Sequence, residues 1–166
     1  MTSQERKDRL NEISKYVVSI PSNPDTQGYT ALFQILSALS SYYDRVCSIL
    51  REGIEDKFNV EKKIALAKEE YENEKNAMLL KDEIRILKSS ELRVAAVDIQ
   101  LINKKKIITQ LEIDQQEVQT FINEVSLVFE GIKDKIRTIK RQIEIGVLMN
   151  GIGEIEKSEI DKKVRI

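Results

Sequence analysis

The chain has 166 residues, 41% of them hydrophobic and 33% charged, with 27 basic side chains against 28 acidic ones for a formal charge of -1. Near neutrality excludes a polycation that binds polyanions with its whole surface, so any such binding must come from a local patch. With no histidine, the commonest general base and the commonest metal ligand are both missing. A length of this order suits one domain. Few breakers, 6 Gly and 2 Pro, beside abundant Ile, Leu, Lys and Glu point to an all-α protein. No apolar run approaches the roughly 20 residues needed to span a bilayer, and the first residues lack the apolar core of a signal peptide. The single Cys47 cannot form an internal disulfide. Beside Val46 and Ile49 it reads as a small core residue. The expected setting is the cytoplasm, with no membrane partner.

Residues 1–20 are expected to form an N-terminal amphipathic helix. Thr2 and Ser3 can cap it, and Glu5, three residues after Thr2, completes a capping box. Leu10, Ile13, Val17 and Ile20 repeat at three, four and three, which predicts a helix to about Val18. Pro21 and Pro24 end it in a polar string. That string reads as a plain turn between packed helices, with a hinge as the alternative.

Residues 25–75 are expected as a helical hairpin arm. Leu32, Leu36, Leu39, Tyr43, Val46 and Leu50 alternate steps of four and three, and Phe33 widens the stripe. Beyond Gly53 the pattern continues through Ile54, Phe58, Ile64 and Leu66 with a drifting phase. Gly costs about 1 kcal/mol relative to Ala inside a helix, so a kink or break between 53 and 59 fits. Tyr43 lies on the core stripe, whereas Tyr42 and Tyr29 are candidates for stacking on bases, Tyr42 as the more exposed. Residues 67–82 are heavily charged and read as a solvated helix or as the join between two helical halves, near 73–76.

Residues 80–147 are the expected coiled-coil segment. Taken every seven residues, one series is Leu87, Val94, Leu101, Ile108, Gln115, Ile122, Phe129, Ile136 and Ile143. A second, three positions on, is Ser90, Val97, Lys104, Leu111, Val118, Val125, Ile132 and Ile139. Steps of three and four put both series on one seam. Lys104 marks a weak zone over 103–106, where the Lys snorkels or the helix bends or ends. Gln115 is a polar seam position of the kind that fixes register. Ile on both series after Leu111 leans towards assemblies of more than two helices. Ile108, Leu111, Val118, Ile122, Val125, Phe129, Ile132, Ile136, Ile139 and Ile143 are therefore the expected contacts of a homo-oligomer larger than a dimer. The helix should stop near Gly146, leaving 150–166 as a polar tail, either a short docked helix or disordered.

Nothing in the chain singles out catalytic chemistry. No CxxC is possible, and neither GxxxxGK[ST] nor GxGxxG occurs. The expectation is therefore no enzyme activity, no metal site and no cofactor. The better candidates are basic clusters. Lys133, Lys135, Arg137, Lys140 and Arg141 stand within nine residues beside Asp134. Lys133, Arg137 and Lys140 share one helical face, which an oligomer would multiply into a phosphate-binding ring. Solubilising the helix and favouring its C-terminal end is the plainer role. Lys62 with Lys63, and Lys104 to Lys106, are shorter clusters.

Two stretches carry a resemblance. Ile132, Lys133, Asp134, Lys135, Ile136, Arg137, Thr138, Ile139 and Lys140 resemble a C-terminal stretch of the UvsY-like recombination mediators of T-even-like bacteriophages, with Ile-Lys pairs at the same spacing. Glu61 to Tyr71, containing Lys62, Lys63, Ile64, Ala65, Leu66, Ala67 and Lys68, is similar to a second stretch of that family. The family's basic triplet falls on Ala67, Lys68 and Glu69, so only Lys68 keeps a positive charge, and the Arg-Gly-Phe middle becomes Lys135, Ile136 and Arg137. The resemblance implies a ring-like homo-oligomer that binds single-stranded DNA and helps load a RecA-like recombinase against the single-strand-binding protein, in a bacterial host cytoplasm. The alternative is a structural or adaptor coiled-coil protein, such as an assembly scaffold, with no nucleic-acid role.

Overall fold

In a computed structural model of the protein, residues 1–15 and 28–163 are described, with side chains over 1–15, 28 and 30–148. Val17, Ile20, Pro21, Pro24, the Tyr29 ring and the side chains of the polar tail lie outside the described residues. The fold is all-α. Its helices are α1 (Ser3–Lys15), α2 (Tyr29–Leu79), α3 (Asp82–Arg85), α4 (Ser90–Gln100) and α5 (Ile102–Lys163).

The capping box at the start of α1 forms as expected. The Thr2 amide donates to Glu5 Oε2 at 2.6 Å and the Glu5 amide donates to Thr2 Oγ1 at 3.2 Å. These bonds to Thr2 hold the Glu5 carboxyl below its usual range. Four boundaries differ from the sequence reading. No turn falls inside α2, which passes through Gly53 and Asn59 as one helix of 51 residues. It ends at Leu79, beyond 73–76. The segment from 87 is divided just before the weak zone of 103–106 rather than at it, because Ser89 caps a separate α4 by accepting from the Leu92 amide and Leu101 leaves regular helix at φ -95°, ψ 12°. Finally, α5 does not stop at Gly146 and continues to Lys163.

The chain divides into two compact units, residues 1–8 with 50–123, and residues 9–49 with 124–166. In the first, α2 and α5 run antiparallel, since Glu61 meets Gln115, Lys68 meets Glu112 and Glu74 meets Lys104. Val60, Ile64 and Val118 make one core, with Leu111 and Ile122 packed on it. Tyr71, Ile84, Val97 and Leu101 make a second, where α3 and α4 fold onto the end of α2. In the other unit the buried apolar residues are Ile13 of α1, Leu32, Leu39, Tyr42, Val46 and Ile49 of α2, and Val125, Ile132 and Ile139 of α5. The Tyr43 and Phe129 rings meet there at 4.9 Å.

The α5 seam is therefore closed within the chain. Val97, Val118, Val125, Ile132 and Ile139 of the second series are buried. From Ile108 onwards the first series is only half-buried, and at the beginning Ser90 and Val94 are exposed. Fully burying a Val, Leu or Ile side chain is worth about 1.5–3 kcal/mol, so these positions dominate the packing.

On α2 the seam takes a different phase from the expected one. Tyr42 and Ile49 are buried, while Tyr43 and Leu50 are half-buried. Tyr42 is thus no exposed stacking residue. Its hydroxyl donates to the Ile13 carbonyl, and burial pushes its pKa up. Further along, Ile54 and Phe58 face out, and Gly53 and Asp56 take the inner positions instead.

Candidate functional sites

Asp56 lies inside because α1 brings it a cation. Arg6 is only 4% exposed. Its Nη1 donates to Asp56 Oδ2 at 2.9 Å, and its Nη2 donates to Asp114 and to Glu117 Oε2. Burial alone would disfavour the guanidinium charge, but the bonds to Asp114, Glu117 and Asp56 outweigh it and hold the pKa up. Gly53 has an equally specific reason. A Cβ there would stand 2.9 Å from Phe121 Cε1 and 3.2 Å from Ile122 Cγ1, so glycine admits the ring against the helix backbone. Both features clamp helices together.

At the end of α2 the Tyr71 ring is flanked by the ammonium groups of Lys75 and Lys105, each 5.7 Å from its centroid. Its hydroxyl donates to Asp98 Oδ1 at 2.7 Å, and Lys105 pairs with Asp98 Oδ2 at 2.7 Å. Lys105 first, then Tyr71, hold the Asp98 carboxyl below its usual range. Burial first, then Asp98, push the Tyr71 pKa up. Lys104, the seam lysine, pairs with Glu74 of α2 at 2.5 Å, and that bond holds its pKa up. Gln115, the other polar seam residue, donates to Glu61 at 3.3 Å.

The basic residues proposed for nucleic acid are treated unequally. Lys133 pairs with Glu130 at 3.4 Å and stands over the Phe129 ring at 5.9 Å. Arg137 pairs with Asp134 at 3.2 Å. Lys135 is half-buried, whereas Lys140 and Arg141 are exposed. In the other unit, Lys62 and Lys63 are exposed and Lys68 pairs with Glu112 at 2.7 Å. The row is therefore interleaved with its own carboxylates at i,i+3 spacing, although such exposed pairs are weak.

Of the residues expected to join chains, Val118, Val125, Ile132 and Ile139 are buried within one chain. Ile108, Leu111, Ile122, Phe129, Ile136 and Ile143 keep part of their surface open. Elsewhere, large apolar side chains stand in solvent, among them Leu80, Ile86, Leu92, Ile99 and Ile102 in the region of α3 and α4. Sequence reasoning missed that region because it used the period-seven signal of 87–101 once, for the seam. A second reading of the same residues, 92, 95, 99 and 102 at three, four and three, was there to be found.

Among the described residues, no group of His, Cys, Asp and Glu side chains could hold a metal ion, and no helix is long and apolar enough to cross a membrane. No family model, curated protein or solved structure matches the chain. The likeness to the phage mediators rests on the quoted residues alone.

Proposed function

We propose that the chain is a non-catalytic helical interaction module, an adaptor or scaffold that works by presenting helix faces to another protein. One observation carries this reading. The seam finds its apolar partners inside the chain, yet α4 still exposes Leu92 and Ile99 on the side away from its buried Val97. A short helix that is apolar on both sides fits a covered position better than an open one. The test is purification of the tagged full chain from its native cells after nuclease treatment, without crosslinking. The reading predicts a protein partner retained at about 0.5 M salt, where exposed charge attraction is largely screened. Recovery of nuclease-sensitive nucleic acid with no protein partner would overturn it.

A second reading has its own support. Lys140 and Arg141 are exposed and form no ion pair among the described residues. Single-stranded DNA binding by a mediator-like homo-oligomer larger than a dimer would use them together with Lys133, Lys135 and Arg137, with the half-buried Phe129, Ile136 and Ile143 joining chains. A recombinase and a single-strand-binding protein would then be its partners. Affinity for a labelled oligonucleotide should fall with salt by about 0.7 counterion per neutralised phosphate. Arg137→Glu with Lys140→Glu should flatten that slope, and Lys62→Glu with Lys63→Glu should do less. An unchanged slope in the first pair leaves this reading without its site.

A further inference from the structure

The exposed side of α4 has a pattern of its own. Leu92, Ala95, Ile99 and Ile102 follow at three, four and three, which places the first three along one line of α4 and Ile102 at the start of α5. Leu92 is 56% exposed, Ile99 70% and Ile102 49%. Leu101 interrupts the ladder: its amide bonds the Val97 carbonyl at 2.9 Å and its carbonyl takes the Lys105 amide at 3.1 Å, so Ile102 opens α5 just beyond the line that Leu92, Ala95 and Ile99 make on α4. Ala95 at the middle of the stripe allows another backbone to come close. A shallow depression lined by Ser90, Glu91, Val94, Ala95 and Asp98 runs beside it.

The charges around the stripe select its occupant. Lys88 stands four residues before Leu92 and Lys106 four residues after Ile102. Both are exposed, and neither forms an ion pair among the described residues. α3 adds no net cation beside them, since Arg85 shares its four residues with the exposed Asp82 and Glu83. Of the acids next to the stripe, Asp98 is already engaged by Tyr71 and Lys105, which leaves Glu91 on one flank. A second copy of this chain is a poor occupant. Laid antiparallel, it would bring Lys88 towards its mate's Lys106 at both ends, and laid parallel, each lysine would meet itself. Like charges brought together in this way oppose pairing.

Building on the adaptor reading, we infer that the α4 stripe is the docking surface for an amphipathic helix of a different protein, whose apolar line of about three turns is bracketed by carboxylates. Apolar contact along Leu92, Ala95, Ile99 and Ile102 supplies affinity. The lysines at the two ends select an acidic helix over a basic one.

The test uses the full chain and two labelled 20-residue helical peptides. Both carry leucines at three, four, three spacing, bracketed by glutamates in one and by lysines in the other. Fluorescence anisotropy should show the acidic peptide binding at least ten-fold more tightly than the basic one. Leu92→Glu with Ile99→Glu should weaken that binding at least ten-fold with an unchanged thermal midpoint, since neither side chain is in a core. Lys88→Glu with Lys106→Glu should reverse the preference between the peptides. Equal affinity for both peptides, or binding untouched by the Leu92 and Ile99 changes, overturns the proposal. So does a dimer in sedimentation equilibrium that the Leu92 and Ile99 changes dissociate, which would make a second copy the occupant. Binding to phosphatidylglycerol vesicles through the same residues, with no peptide binding, overturns it in favour of a membrane surface. If the peptides fail while a nuclease-resistant protein partner persists in cells, the location is wrong and the adaptor reading stands. If that partner is also missing, both fail.

Discussion

Two stripes with the same spacing have opposite fates in this molecule. On α5, Val118, Val125, Ile132 and Ile139 recur every seven residues and are buried. On α4, Leu92 and Ile99 recur at the same interval and are exposed. Their side chains are equally apolar. The difference is supply. Along α2 the chain offers a complementary line, including Leu32, Leu39, Val46 and Val60, to close its α5 seam, whereas α4 has already spent its inward face on Tyr71, Ile84 and Leu101. Periodicity identifies a stripe, and the rest of the chain decides whether that stripe closes at home.

The sharpest way to break this comparison is a charge placed on each stripe. Val118→Asp should cost at least about 4 kcal/mol or prevent folding, because an unpaired carboxylate would replace a fully buried side chain. Ile99→Asp should stay within about 0.5 kcal/mol, the usual range for a surface change. Urea denaturation followed by circular dichroism measures both. Similar losses would show that the α4 stripe is not open in the isolated chain.

Next in size is the Arg6 clamp. Arg6→Ala should cost about 3 kcal/mol, much of it for leaving Asp56 buried without its guanidinium. Arg6→Met with Asp56→Leu should recover only part of that loss, since the apolar pair still leaves the Met1 ammonium, Asp114 and Glu117 without their partners. Hydrogen exchange along α1 should speed up in the first variant and slow again in the second. A first variant as stable as the parent would remove the clamp from the account.

Two mid-helix glycines refine the same lesson. Gly53→Ala should destabilise by about 1–2 kcal/mol, because the Phe121 contact outweighs the gain in helix propensity. Gly131→Ala meets nothing within 4 Å and should stabilise by about 1 kcal/mol. Opposite signs in thermal melts are the expected outcome, and equal signs would mean that the ring does not press on α2.

The smallest effect is the response to pH. Without histidine, stability should be flat from about pH 5 to 8. Glu5, Glu12 and Asp98 have lowered folded pKa values, so their contribution is present above the unfolded values and is lost as pH falls through the folded ones, below about 4. Lys104 and Lys105 have raised values, so theirs is complete below the unfolded value and is lost as pH rises through the folded one, above about 10. A step near pH 6.5 in a denaturation series would contradict this.

Much of the architecture could be read from the residues, and the exceptions have causes. The all-α class, the capping box of Thr2 and Glu5, and burial of Val97, Val118, Val125, Ile132 and Ile139 all follow from local chemistry or a single period. The phase of α2 did not, because Tyr42 and Tyr43, or Ile49 and Leu50, satisfy the period equally well as neighbours. The Ile13 carbonyl that takes the Tyr42 hydroxyl lies 29 residues away. Gly53 and Asp56 looked like defects in a seam because Phe121 and Arg6, which explain them, are distant in sequence. The charge of residues 133–141 was legible. Its interleaving with Glu130 and Asp134 was legible too, but had to be weighed as ion pairs to matter.

The central claim is that the α5 seam is closed by α2 of the same chain, leaving the α4 stripe as the open one. Thermal unfolding of the purified chain across a hundred-fold range of concentration tests it most directly, because a fold completed by a second copy gains stability by mass action. The account predicts one midpoint at every concentration. A midpoint that climbs with concentration, and stops climbing in a Phe129→Asp variant, would give the seam to a second copy and contradict it.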